Sequence, residues 1–230
     1  MRLISASIVA GLAAALCASA ASAAPLLAID AGNGAVQSGF TAFTTGETAG
    51  SYTHPPFNVV VKTLTKVVGA YTVTFATTNN FTADDRSGYG YSAVDKNLLN
   101  DELVLANYGQ DGTVYDGLTF QIDGLGANTA YSFTIYDVSF GNSVNTTWTP
   151  FIGTGSAVTI VNAGLWYGDP APYQGTATWT TDAAGTIAFG SDHGAGVATR
   201  INGFTVTAVP EPAAISLLGL SGLAILRRRR

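Results

Sequence analysis

The chain of 230 residues contains two histidines, His54 and His193. Only His193 has neighbours that suggest a reaction. Ser191-Asp192-His193 holds the three residue types of a hydrolytic triad. Three consecutive residues cannot converge as a triad must, because the base has to reach the nucleophile while a third group orients it. GSDHGAG therefore reads as a polar turn. His54 precedes Pro55-Pro56 and reads as a loop residue, and no histidine cluster offers a metal site. Asp84-Asp85-Arg86, and Asp111 and Asp116 around a glycine-bearing loop, invite a calcium reading. Calcium needs six to eight converging oxygens, and the EF-hand spacing is absent. These segments read as solvated acidic turns. No cofactor is expected, a structural calcium being the one ion such turns would admit. Glycoside hydrolysis needs two acids at a fixed separation, and nothing in the sequence selects a pair. Gly88-Tyr89-Gly90-Tyr91 lacks the strand–helix context of a phosphate cradle. A secreted hydrolase is the weakest reading, and the chain is not expected to be an enzyme.

Binding is better served. Trp148 lies in NTTWTPF, and Trp166, Tyr167 and Tyr173 lie in GLWYGDPAPY. Aromatic faces beside Asp and Asn can hold sugar rings, with the ring face on the apolar plane and hydroxyls bonded to polar neighbours. These four residues are the candidate glycan platform; the competing reading packs them into the core or over a sheet end. Asn80-Phe81-Thr82 and Asn145-Thr146-Thr147 match a glycosylation pattern and read simply as polar loops.

The elements that must position these residues are strands. The central span is rich in Thr, Gly, Val, Tyr, Phe and Asn and poor in Lys, Glu and Leu, which disfavours helices. Tyr71, Val73 and Phe75 alternate with Thr72 and Thr74; Leu118, Phe120 and Ile122 with Thr119, Gln121 and Asp123; Tyr131, Phe133 and Ile135 with Ser132, Thr134 and Tyr136. Each pattern buries one face and wets the other. Asp111-Gly112, Asp116-Gly117, Asp123-Gly124, Gly141-Asn142 and Asn202-Gly203 mark turns. About ten strands are predicted, near residues 26–30, 59–64, 70–76, 103–107, 117–122, 131–138, 157–161, 176–180, 186–189 and 203–209. Only 94–103 has a helical cast. The predicted fold is all-β, a two-sheet antiparallel β-sandwich of jelly-roll form.

Both ends of the chain carry routing signals. Met1-Arg2-Leu3, an apolar run of small residues and Ala21-Ser22-Ala23 form a secretory signal peptide over 1–23. Cleavage is expected after Ala23 or after Ala24. Cys17, the one cysteine, lies in the segment to be removed, so the exported domain has no disulfide and no thiol chemistry. That domain, 24–208, holds five cations and fourteen carboxylates, a net charge of −9. Such a surface repels phosphate backbones, so nucleic acid is not an expected partner. At the other end Pro210, Glu211 and Pro212 precede an uncharged run, 213–226, and then Arg227, Arg228, Arg229 and Arg230. A helix of that run would be about 21 Å long, against a hydrocarbon core of roughly 30 Å. Arginines that snorkel and act as a cytoplasmic stop favour a membrane helix.

The tail 209–230 resembles the PEP-CTERM sorting signal: a Pro-Glu-Pro motif, a hydrophobic segment and an arginine-rich end, in that order. The resemblance implies an exosortase as processing partner in a Gram-negative host that makes exopolysaccharide. It implies transient inner-membrane anchoring, then delivery to the cell surface or matrix for a structural or adhesive role in biofilm. An exopolysaccharide-binding module is the compatible alternative. A second resemblance covers GLTFQIDGLGANTAYSFTIYDVS and the closing RINGFTV. They look like a hairpin and the last core strand of galactose-binding-like and malectin-like jelly rolls, and imply a fold rather than a ligand.

Overall fold

The structure, a computed structural model, describes residues 24–32, 34–44, 48–54, 59–77, 81–85, 101–105, 118–137, 145–161, 173–192 and 199–209. The expected signal peptide (with Ala21 and Ala23), Pro210, Glu211 and Pro212, the run 213–226 and Arg227 to Arg230 lie outside these residues. Ala24 is described and exposed.

Among the described residues the chain forms sixteen strands. They are β1 (Leu27–Ala31), β2 (Thr41–Phe43), β3 (Thr48–His54), β4 (Val59–Val68), β5 (Tyr71–Thr77), β6 (Phe81–Asp85), β7 (Asp101–Leu105) and β8 (Thr119–Asp123). Then come β9 (Ala130–Tyr136), β10 (Asn145–Ile152), β11 (Thr154–Gly155), β12 (Val158–Val161), β13 (Gln174–Thr180), β14 (Ile187–Asp192), β15 (Thr199–Ile201) and β16 (Gly203–Ala208). A six-stranded sheet has the order β11-β13-β9-β16-β1-β2 and a seven-stranded sheet the order β12-β10-β14-β8-β5-β4-β3. A small third sheet pairs β15-β7-β6. From β8 to β14 the main strands alternate between the two large sheets, as the connections of a jelly roll do.

Each predicted strand has an observed counterpart, and six more strands exist. The expected two-sheet, largely antiparallel sandwich is present, with one parallel ladder among the described strands, β1–β2, where Asp30 lies opposite Ala42. Several local expectations are corrected. Residues 101–103, placed in a helical stretch, belong to β7, and 94–100 lie outside the described residues. The Asn145-Thr146-Thr147 stretch starts a strand instead of forming a loop. Ser191 and Asp192, read as a turn, finish β14, while His193 lies outside the described residues. His54, read as a loop residue, ends β3, and Phe81 and Thr82, read as a polar loop, and Asp84 and Asp85, read as an acidic turn, belong to β6.

The alternation seen in the sequence sets the core. Ile29, Phe133, Ile135, Trp179, Phe204 and Val206 from the six-stranded sheet meet Val73, Phe75, Phe120, Ile122, Trp148, Ile187 and Phe189 from the other. Phe189 is the hub. Its ring touches Phe120 and Trp148 within its own sheet, and Phe133, Trp179 and Phe204 from the facing sheet, at centroid distances of 5.2–6.1 Å. Pro150 sits inside β10 although proline cannot donate to a ladder; the register shifts between Pro150 and Ile152, so the missing donor falls at a bulge.

Candidate functional site

The register of the six-stranded sheet lines up the outward side chains in rows. Asp30, Gly203, Tyr136 and Gln174 are neighbours across β1, β16, β9 and β13. The next row is Ala28, Thr205, Thr134 and Thr176, and Thr207, Ser132 and Thr178 follow. Tyr136 faces outward because β9 turns Tyr131, Phe133 and Ile135 into the core and its other residues away from it. Thr134 and Thr176 share a hydroxyl–hydroxyl hydrogen bond of 3.0 Å.

At Gly203 the row has no side chain. Gln37, in the segment that joins β1 to β2, donates its backbone N–H to Asp30 Oδ2 at 2.5 Å. The Phe40 N–H then bonds the Gln37 carbonyl at 3.0 Å, and the Phe40 ring meets Tyr136 edge-on at 6.0 Å and 71°. Tyr173 stacks on Tyr136 from the other side, with centroids 6.4 Å apart and planes 26° apart. Its carbonyl accepts from the Asp137 N–H at 2.9 Å, which fixes the backbone behind the ring. Phe40, Tyr136 and Tyr173 are all half-buried, while Gln174, Thr176 and Thr178 are exposed. The result is an aromatic shelf with an amide beside it and hydroxyl rows below it.

The strands of this sheet contain no Lys or Arg, and their one carboxylate is Asp30. Asp30 is 2% exposed and its Oδ1 accepts no hydrogen bond. Burial pushes its carboxyl up from 3.8 to about 6, against the smaller opposite pull of the Gln37 N–H. A raised pKa means that the folded state binds the proton more tightly than the unfolded state. The contribution to stability is therefore full below 3.8 and is lost as pH rises through about 6. Asp30→Asn is expected to flatten the stability profile across this window, as read by denaturant melts at several pH values. Equal pH slopes in the variant and the parent would refute the assignment.

Raised acids also serve as catalysts, but Asp30 has no partner acid in Asp137. The two lie on opposite faces of the sheet. Asp137 is fully buried and takes the Trp148 Nε1–H on Oδ2 at 3.4 Å, tying one sheet to the other. Among the described residues no group of three or more His, Cys, Asp or Glu is placed to hold a metal.

Of the four platform residues expected from the sequence, Tyr173 lies at the shelf. Trp148 does not. It is 0% exposed and packs edge-on against Phe189, so neither of its faces is open to a sugar. That expectation is corrected: Trp148 occupies an inward position of β10, and its indole N–H finds its partner inside the core. Trp166 and Tyr167 lie outside the described residues. Sequence reasoning missed Tyr136 and Phe40 as site residues. The signal for Tyr136 was present, as an aromatic on the polar side of an alternating strand. Phe40 gave none, because its role depends on the Asp30–Gln37 contact. Among the described residues no helix is long and apolar enough to cross a membrane.

Comparison with known proteins gives no matching family model and no match among curated proteins. Similar solved structures include the Bacillus subtilis protein YxiM, 15% identical, with a TM-score of 0.46 over 80% of this chain and 40% of that one. The chain thus spans well under half the length of that protein. The P-domain of the Penaeus vannamei nodavirus is 20% identical, with a TM-score of 0.30 over 47% of this chain and 96% of that one. The CBM22-1–GH10 modules of endo-1,4-β-D-xylanase 10B from Clostridium thermocellum, complexed with xylohexaose, are 12% identical, with a TM-score of 0.36 over 57% and 25% of the respective chains. At these scores the strand topology itself, and not the likeness, establishes the β-sandwich.

Proposed function

We propose that this chain is an exported, non-catalytic protein of the cell envelope or extracellular matrix whose β-sandwich binds polysaccharide. One observation carries the binding reading: the stacked Tyr136–Tyr173 pair, braced by Phe40, stands beside Gln174 and the threonine rows on a sheet whose strands carry no cation and one buried carboxylate, Asp30. Flat apolar faces bordered by amides and hydroxyls suit sugar rings, which offer C–H faces and hydroxyl edges. Tyr173→Ala and Tyr136→Ala are each expected to weaken polysaccharide binding about tenfold, equivalent to about 1.4 kcal/mol. Gel mobility in polysaccharide-containing matrices reads this out, with thermal melts as the folding control. Parental mobility shifts in both folded variants would remove the shelf as the site.

Delivery rests on the tail. Pro210, Glu211 and Pro212 serve as the recognition element, 213–226 as a transient membrane helix, and Arg227 to Arg230 as its cytoplasmic stop. An exosortase then releases the domain to the surface of a Gram-negative cell, where it supports biofilm. Mass spectrometry of the C-terminus, from cells with and without an exosortase, tests this. The tail is expected to be shortened only when the exosortase is present; an intact tail in both strains would defeat the sorting claim.

A further inference from the structure

The strands of the six-stranded sheet carry no cation and a single, buried carboxylate, Asp30, and this narrows the ligand. We infer that the site takes an uncharged, extended polysaccharide that lies along β9 and β13, from the Tyr136–Tyr173 shelf across Thr134–Thr176 to Ser132–Thr178. This rests on the shelf being a sugar site, and adds the class and direction of the chain.

Three observations carry it. First, charge is partitioned between the sheets. Lys62 and Lys66 lie on β4, Asp123 on β8 and Asp192 on β14, all in the seven-stranded sheet, while Asp84, Asp85, Asp101, Glu102 and Arg200 lie in the small sheet. The six-stranded sheet holds only Asp30, buried under Gln37. In a domain of net charge −9, a polyuronate would meet repulsion without a single cation on the described strands of this sheet to offset it. A neutral chain exchanges hydroxyl–water bonds for hydroxyl–hydroxyl bonds and desolvates no charge.

Second, the hydroxyls come in register. Thr176 and Thr178 are exposed beside the half-buried Thr134 and Ser132, and the pairs Tyr136–Gln174, Thr134–Thr176 and Ser132–Thr178 follow one another along the same two strands. Each step of two residues advances about 6.8 Å, so three rows extend about 14 Å from the shelf. That length receives several linked sugars and is wasted on one.

Third, the shelf stands at one end of these rows, at the last residue of β9 and the residue before β13. A sugar stacked there can continue only along the strands if it is to keep meeting hydroxyls.

The test uses the purified full chain and compares glucomannan and galactomannan with alginate and polygalacturonate. Retardation by the neutral polymers is expected to survive a rise in salt from about 0.02 to about 0.5 M, with none by the acidic ones. Short oligomers should bind more tightly as they lengthen, until the rows are filled. The double variant Thr176→Val with Thr178→Val keeps the β-branched shape and should bind about tenfold more weakly with an unchanged melting temperature. Binding confined to the acidic polymers, or abolished by salt, overturns the proposal. So does a double variant that binds like the parent while Tyr173→Ala does not; in that case the shelf survives and its extension falls. If no polymer retards the parent, both readings fall. A concentration-dependent dimer that the double variant dissolves would instead make this face a contact between copies of the chain.

Discussion

Phe189→Ala is expected to lower the free energy of unfolding by about 3–5 kcal/mol, the range for removing a large buried aromatic. Phe189 is fully buried on β14 and faces the six-stranded sheet. Its ring meets Trp179 and Phe204 at 5.2 and 5.4 Å and Phe133 at 5.8 Å across the interface, and it supports Phe120 and Trp148 at its sides. Truncation leaves a void bounded by five rings on rigid strands from both sheets, which cannot collapse into it without shifting a ladder. A single domain of this size has a total stability of about 5–15 kcal/mol, so the variant should lose about a fifth of it or more. Urea melts of Phe189→Ala, Phe189→Leu and the surface control Phe40→Ala provide the measurement. Phe189→Leu should fall between the parent and Phe189→Ala, and Phe40→Ala should be mild. A loss below about 1 kcal/mol for Phe189→Ala would show that the two sheets do not share this core.

Gly185→Ala is expected to cost about 3 kcal/mol or more, through backbone strain and a backbone clash instead of a cavity. Gly185 has φ +77°, a region that L side chains enter at a cost of about 1–2 kcal/mol. A Cβ there would stand 2.1 Å from the Leu125 carbonyl oxygen. That contact is with backbone, so no rotamer change relieves it. Relief requires the Asp182–Thr186 turn to move away from Leu125, and the Leu125 N–H bond to the Gly185 carbonyl, 3.0 Å, opens with it. An orphaned N–H adds about 1–3 kcal/mol if it stays buried. The same turn is held by Asp182 Oδ1, which accepts from the Ala184 and Thr186 N–H groups at 2.9 and 2.8 Å, and by Thr186 Oγ1, which donates to Asp123 Oδ1 at 2.7 Å. These bonds resist the movement, so the strain remains. Thermal melts of Gly185→Ala beside Gly39→Ala separate the effects, because Gly39 also has a positive φ but nothing within 4 Å of an added Cβ. Equal losses would mean that backbone conformation alone, without the clash, sets the cost.

The strands that the sequence announces are those whose alternation is clean, such as Ala130–Tyr136, where every second residue is buried, and Tyr71–Thr77, where every second residue from Val73 onward is. The overlooked ones break the pattern for identifiable reasons. Asn145–Ile152 carries Pro150, which argues against an interior strand until a bulge absorbs it. Thr48–His54 has Gly50 and scarcely any apolar residues, and it forms at an edge against the long β4. Thr41–Phe43 pairs in parallel with β1, an arrangement no local signal encodes. The site followed the same logic. Tyr173 was legible as an aromatic in a polar loop sequence. Tyr136 needed the register to reveal that it and Gln174 share a row with the gap at Gly203. Trp148 was misread because a tryptophan flanked by threonines looks like a loop residue, whereas β10 turns it inward, with its indole N–H on Asp137.

The strand order has a consequence for a chain that is made amino end first. β16, the last strand, fills the slot between β9 and β1 at the middle of its sheet. Until residues 203–208 are free, that sheet is two unjoined halves, with two rows of backbone groups unmatched. Phe204 and Val206 are also missing from the core during that time. Maturation of the domain therefore waits on its carboxyl edge, which comes immediately before the Pro-Glu-Pro motif. The keystone strand is thus the last part of the sandwich to become available, and the two halves of its sheet join only when the chain has been made almost to Pro210.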